Sequence, residues 1–219
     1  MNLASFSDEV HRSFDRKAAA RDRALIAARR AVRSSANAIR AVHRGELVEA
    51  HRLMDDAKAA LDEGKAAVAE DHPDVYHAGF LQDAQKEYAE ARLTEALVTG
   101  AEPPGADELG MELPAFLNGM AETIGEGRRA VLDLLRSGEI ERAERILATM
   151  EDLFHVLVTV DYPDAMTRNL RRSTDAARSI LEKTRGDLSL SIVQRRLQDA
   201  LEGHAERLGR APPEGSAGS

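Results

Sequence analysis

Apolar side chains recur at helical spacing along nearly the whole 219-residue chain, and the alternation typical of β-strands is almost absent. Aromatic residues make up only 4% of the chain, and tryptophan is absent. The core must therefore be built from Ala, Leu, Ile and Val, which favours packed helices over a β-sandwich. Proline and glycine residues divide the pattern into seven predicted helices: residues 7–43, 46–70, 75–98, 114–136, 139–160, 163–184 and 189–208. We predict an all-α bundle forming one domain over residues 1–208, followed by a disordered tail over residues 209–219.

The chain contains no cysteine, which excludes disulfides, thiolate catalysis and zinc sites with thiolate ligands. No apolar run approaches the length of about 18 residues that a membrane span needs. The first ten residues, MNLASFSDEV, have neither the basic start nor the apolar stretch of a signal peptide. We expect a cytoplasmic protein that does not enter a membrane.

Charge is distributed unevenly along the chain. Residues 1–44 carry ten Lys or Arg and four acidic residues, a net charge of +6, whereas the whole chain has a net charge of −8. Arginine forms bidentate contacts with phosphate oxygens, so the first helix is a candidate for binding a nucleic-acid backbone. The candidate residues are Arg29, Arg33, Arg40 and Arg44. The alternative is a solvated basic face that pairs with the acidic remainder of the chain.

Common enzyme signatures are missing. The sequence has no glycine-rich phosphate loop, no HExxH zinc motif and no GxSxG nucleophile elbow. The DxxH stretch from Asp152 to His155 is only a weak hint of a di-iron bundle, which needs two ExxH helices and further carboxylates. A di-iron oxidase is therefore a weak alternative.

Four glutamates occupy unusual positions on the third and fourth predicted helices. Glu87 falls near the middle of an apolar stripe and Glu90 on its border, whereas Glu122 and Glu126 flank the next stripe on the same side as Gly119. A glycine there allows backbone or ligand to approach closely. If the two pairs face each other, they form an oxygen cluster suited to Mg²⁺ or Mn²⁺. The alternative is that these carboxylates are solvated or form salt bridges with neighbouring arginines.

Three motifs occur in the same order as in a known family. Residues 28–44, ending in His43 and Arg44, resemble the first-helix motif of the translin family. Residues 87–91, EYAEA, resemble the EYVEA motif of its translin-associated factor X branch, and residues 116–126, FLNGMAETIGE, resemble that branch's YLxGVADLTGE motif. The chain is similar to archaeal or bacterial homologues with a single type of subunit.

The resemblance implies an all-α fold, assembly into a hollow multimer, usually an octamer, and binding of single-stranded nucleic acid. It also implies that Glu87, Glu90, Glu122 and Glu126 form a metal-dependent ribonuclease site. Glu122 stands where the catalytic branch has Asp. The resulting hypothesis is a Mg²⁺- or Mn²⁺-dependent endoribonuclease acting on single-stranded RNA within a homo-oligomer.

Two other classes of function stay open. The first is a scaffold without catalysis that binds single-stranded DNA or RNA and uses the carboxylates for packing. The second is a helical adaptor that binds partner proteins and depends on neither metal nor RNA. Purified protein that degrades RNA with Mg²⁺ but not with EDTA would separate the nuclease from both.

Overall fold

The computed structural model describes residues 2–209, in which the chain forms helices and no β-strand. The prediction of an all-α bundle is confirmed. The helices are α1 (Leu3–His43), α2 (Leu47–Val68), α3 (Pro73–Tyr76), α4 (Phe80–Thr99), α5 (Ala106–Leu109), α6 (Leu113–Ser137), α7 (Ile140–Val158), α8 (Asp164–Thr167) and α9 (Leu170–Gly209). The part of the predicted disordered tail from residue 210 to 219 lies outside the described residues.

The division of the chain into helices differs from the prediction at two places. The predicted helices 163–184 and 189–208 are largely one continuous helix, α9, preceded by the single turn α8. Gly186 lies inside α9, because a glycine within a helix costs only about 1 kcal/mol and does not end it. The third predicted helix is instead divided into α3 and α4 at Gly79, whose φ of 108° is incompatible with a continuing helix.

Helices α4 and α6 lie at the centre of the bundle. Helix α4 packs against α1, α2 and α6, and helix α6 also packs against α7 and α9. Small side chains on α1, such as Ala24, Ala31 and Ala38, are fully buried and allow its neighbours to pack closely. Because both predicted glutamate pairs lie on α4 and α6, the fold places them at the crossing of its two central helices.

The C-terminal part of α9 leaves a row of apolar side chains exposed to solvent. These residues recur at intervals of three and four: Leu190, Val193, Leu197 and Leu201. Within residues 2–209, none of the helices combines the length and the apolar character needed to traverse a membrane.

Candidate active site

A glycine sets the separation of the two central helices. A Cβ atom at Gly119 on α6 would lie 2.6 Å from the carbonyl oxygen of Lys86 and 2.7 Å from the Cβ of Ala89, both on α4. The two helices therefore touch almost backbone to backbone at this point. Because Glu122 lies one turn beyond Gly119 and Glu90 directly follows Ala89, this contact brings their side chains to the same place.

Substituting Gly119 tests this contact. We expect Gly119→Ala to lower the free energy of unfolding by about 1–3 kcal/mol, because the added methyl group must displace the backbone of α4. The matched control is Gly186→Ala in α9, where a Cβ would meet nothing within 4 Å. That variant should raise the free energy of unfolding by about 0.5–1 kcal/mol. Chemical denaturation at a fixed protein concentration measures both, and equal effects would contradict the close crossing.

Three of the four predicted glutamates converge. One carboxylate oxygen from each of Glu87, Glu90 and Glu122 lies within 4.8 Å of the other two, and all three residues are half-buried. We call these three residues the acidic cluster. Carboxylate oxygens are the ligands that Mg²⁺ and Mn²⁺ prefer, so the donor set fits a hard divalent cation.

Lys86 provides an internal positive charge to the acidic cluster. Its Nζ lies 2.7 Å from Oε1 of Glu122 and 3.3 Å from Oε1 of Glu87. Burial opposes the charged form, but the hydrogen bond to Glu122 and the two carboxylate charges outweigh it and raise the Lys86 pKa. Part of the salt-bridge alternative is therefore realised, through Lys86 on α4 and through Arg129 on α6, whose Nη1 lies 3.7 Å from Oε2 of Glu126.

Ionisation of the Glu90 carboxyl group is unfavourable in the folded protein. Burial, followed by repulsion from Glu122, Glu87 and Glu126, raises its pKa to about 8, against a smaller opposing effect of Lys86. Glu90 is therefore largely protonated at neutral pH when no cation is bound. A divalent cation among these oxygens would favour its ionised form.

Glu126 lies beside the acidic cluster and is held by a histidine. The Nε2–H of His43 on α1 donates a hydrogen bond to Oε2 of Glu126 at 2.5 Å, and only 5% of the His43 side chain is exposed. This hydrogen bond is the main reason why the Glu126 pKa is lowered. An ionised Glu126 tied to α1 thus flanks the three convergent carboxylates.

Solved structures with the same architecture provide the comparison. AfC3PO in a complex with duplex RNA is 30% identical, with a TM-score of 0.78 over 89% of this chain and 98% of that one. The chain belongs to the translin family. AfC3PO in a second crystal structure is 29% identical, with a TM-score of 0.79 over 89% of this chain and 99% of that one. Apo-NeC3PO is 21% identical, with a TM-score of 0.72 over 87% and 97% of the two chains, and shows the fold alone.

A sequence relative covers less of the chain. An uncharacterized protein of Methanocaldococcus jannaschii is 34% identical over 125 residues, which are 57% of this chain. The match spans 56% of that relative, little more than half of its length. No protein-family model matches this chain.

The four candidate arginines of this translin-family chain form an exposed row along α1. Arg29, Arg33, Arg40 and Arg44 are separated by four, seven and four residues, which places them on one side of the helix. Arg44 is 2.5 Å from Glu46, and Arg40 donates to Oδ1 of Asn37. Within residues 2–209, no carboxylate lies within salt-bridge distance of Arg29 or Arg33. Both guanidinium groups are therefore available to a phosphate backbone.

Two residues of the site were not predicted. Lys86 directly precedes Glu87 in the sequence, but its pairing with Glu122 depends on how α4 and α6 cross. His43 stands in the first motif that resembles the translin family, and this motif was its only sequence signal. Its partner Glu126 is 83 residues away, so their contact depends on how α1 packs beside α6.

Proposed function

We propose that this chain is a metal-dependent endoribonuclease of the factor X branch that cleaves single-stranded RNA inside a homo-oligomer. The observation that carries the proposal is the convergence of Glu87, Glu90 and Glu122 at the crossing of α4 and α6. The RNA complex of the related AfC3PO supports RNA as the ligand, although that RNA is a duplex. Single-stranded RNA is therefore tested beside duplex RNA and single-stranded DNA.

Each residue of the site has a role in this proposal. Glu87, Glu90 and Glu122 would hold Mg²⁺ or Mn²⁺, with Glu126 beside them and fixed by His43. Such an ion supplies an activated water and offsets the charge that develops on the phosphorus. Lys86 partly neutralises the carboxylates, which lowers their repulsion of an approaching phosphodiester.

Cleavage assays test the proposal directly. Purified protein is incubated with end-labelled single-stranded RNA, duplex RNA or single-stranded DNA, in Mg²⁺, in Mn²⁺ or in EDTA. We expect internal cuts in single-stranded RNA with either metal and intact RNA in EDTA. If nuclease-free preparations leave the RNA intact with both metals, the catalytic proposal is wrong.

The scaffold without catalysis has one observation in its favour. Lys86 already bridges Glu87 and Glu122, so these carboxylates have a structural partner without a metal. A scaffold would bind RNA equally well with Mg²⁺ and with EDTA and would not cleave it. The same assays therefore separate the two functions.

Binding through the arginine row has its own test. We expect Arg29→Ala and Arg33→Ala each to weaken RNA binding about equally for all sequences, because contacts with phosphates carry no base information. Each variant should lower the salt dependence of binding by about 0.7 in the logarithmic slope for every phosphate that it no longer neutralises. The matched control is Arg30→Ala, because Arg30 pairs with Glu63 at 2.8 Å on another side of α1. Fluorescence anisotropy in EDTA measures RNA binding by all three variants. If the slope is unchanged in Arg29→Ala and Arg33→Ala, these arginines contribute to solubility and do not bind RNA.

Assembly is expected to use the exposed apolar row of α9. Exposed apolar side chains that recur at intervals of three and four residues favour packing against another copy of the chain. We expect light scattering with size exclusion to give a mass several times 23.9 kDa, eightfold for an octamer. Leu197→Glu should lower that mass, because it buries a charge between the copies. A monomer at micromolar concentration would contradict the enclosed site.

A further inference from the structure

A polar cavity of about 370 Å³ opens beside the acidic cluster. Its walls come from α4, α6 and the short connection between α8 and α9. Lys86 and Glu122 line it and also belong to the carboxylate site, so the cavity and the site share a wall. A cavity of this size falls within the range of small-ligand sites. A molecule bound there would lie directly next to the reacting centre.

Two positive charges lie in the wall of the cavity, together with the carboxylates of Glu122 and Asp83. Besides Lys86, the wall includes Arg168, whose Nη2 donates to the carbonyl oxygen of Gly79 and, at 3.0 Å, to Oδ1 of Asp83. The Nε and Nη1 groups of Arg168 have no hydrogen-bond partner among residues 2–209. Because the Asp83 side chain is largely exposed, solvent weakens its electrostatic interaction with the Arg168 guanidinium group. Arg168 can therefore form a two-pronged contact with a phosphate.

The connection that carries Arg168 is held in an unusual conformation. Arg168 and Asn169 are consecutive residues in the left-handed region, with φ of 55° and 63°, and neither is a glycine. Asn118 of α6 fixes this connection: its Nδ2 donates to the carbonyl oxygen of Thr167, and its Oδ1 accepts from Ser173. Unfavourable backbone conformations persist where the surroundings impose them, and they cluster at ligand sites. Arg168 is thus positioned rather than free to move.

The wall also contains a buried acceptor that lacks a donor. Gln82 is 2% exposed, and its amide nitrogen donates to the carbonyl oxygen of Tyr76 and to Glu112. Its Oε1 has no hydrogen-bond partner in the described part of the chain. Buried acceptors are usually satisfied, so the unpaired oxygen of Gln82 marks this wall as polar.

We propose that this cavity binds the nucleotide adjacent to the scissile phosphodiester, with Arg168 and Lys86 on its phosphate and Asn169 and Gln82 beside its sugar and base. The proposal rests on the proposed binding of RNA and adds a second anchor, separate from the arginine row of α1. A nucleotide bound in this cavity, beside the acidic cluster, would hold the RNA strand on one side of the cleavage site. This anchoring would set where the chain is cleaved relative to the bound nucleotide.

The test measures binding without cleavage. A short fluorescein-labelled single-stranded RNA is titrated into wild-type protein, Arg168→Gln and Asn169→Gly in EDTA. We expect Arg168→Gln to weaken binding about tenfold, because it removes a charge-assisted hydrogen bond to the phosphate. Asn169→Gly, in which glycine adopts the left-handed backbone readily, should weaken binding about fivefold while thermal stability is maintained.

The matched control is Arg171→Gln. Arg171 is exposed, pairs with Asp161 at 2.9 Å and does not line the cavity. The Arg171→Gln variant should bind RNA with the affinity of the wild-type protein. Wild-type affinity in both Arg168→Gln and Asn169→Gly would overturn the cavity proposal even if the protein cleaves RNA. Conversely, weakened binding in both variants of a protein that never cleaves RNA would support the binding of a nucleotide in the cavity and would refute the nuclease.

Discussion

Glu87→Gln and Glu90→Gln should each reduce the Mg²⁺-dependent rate of RNA cleavage by roughly a thousandfold. A metal at a reacting phosphodiester stabilises the transition state by several kcal/mol, and each 1.4 kcal/mol corresponds to about a factor of ten in rate. Glutamine nearly preserves the size of glutamate but removes the negative charge that a hard cation needs. The measurement is the single-turnover rate on labelled RNA at saturating Mg²⁺.

The controls separate a chemical defect from a structural one. Both variants should keep the wild-type oligomer mass and the wild-type affinity for RNA in EDTA. Glu144→Gln, at an exposed position on α7, removes one charge away from the acidic cluster and should cleave at the wild-type rate. Cleavage at the wild-type rate by Glu87→Gln and Glu90→Gln would exclude the acidic cluster as the metal site.

Glu122→Asp examines the departure from the family motif. The Glu122 carboxylate reaches both Lys86 and the other two carboxylates of the acidic cluster, so its extra methylene is accommodated in this fold. Aspartate restores the residue that the catalytic branch has at this position and keeps the charge. We expect cleavage to be retained or increased, whereas a loss as large as that of Glu87→Gln would show that the longer side chain is required here.

The sequence predicted those features of the site that depend only on the spacing of residues within a single helix. The inward position of Glu87 and the spacing to Glu90 follow from the period of α4, and Gly119 marked a possible close approach on α6. Two other features depend on how α4 and α6 cross. They are the contact of the α4 backbone with Gly119 and the hydrogen bond from Lys86 to Glu122. A single helical wheel contains no such information.

The helix boundaries and the cavity beside the acidic cluster were harder to predict for the same reason. Leu181 and Leu188 are buried on either side of Gly186, so packing against the bundle outweighs the small helical cost of the glycine. The left-handed pair Arg168 and Asn169 carries no glycine signal and is imposed by Asn118 on another helix. Local sequence patterns do not report conformations that distant residues impose.

The stability of the metal-free protein should fall as pH rises, because of Glu90. Its pKa is about 8 in the folded protein, against an ordinary value of 4.5. Between these values the folded state binds more protons than the unfolded state, so the free energy of unfolding decreases with increasing pH. The loss begins near pH 4.5, is complete above about pH 8 and amounts to a few kcal/mol. The charged groups that face Glu90 are Glu87, Glu122, Glu126 and Lys86.

Comparison with Glu90→Gln isolates this effect from all other titrations. Chemical denaturation in EDTA from about pH 5 to about pH 8, at one protein concentration, should show a smaller decline in the variant than in the wild type. At the upper pH the variant should be the more stable protein, because its amide does not ionise. Added Mg²⁺ should then stabilise the wild type and leave Glu90→Gln nearly unchanged, since a cation that binds only the folded state shifts the equilibrium toward it. If the free energy of unfolding changes with pH in parallel for the two proteins, Glu90 ionises with an ordinary pKa. The carboxylates would then lack the mutual repulsion that a bound cation relieves.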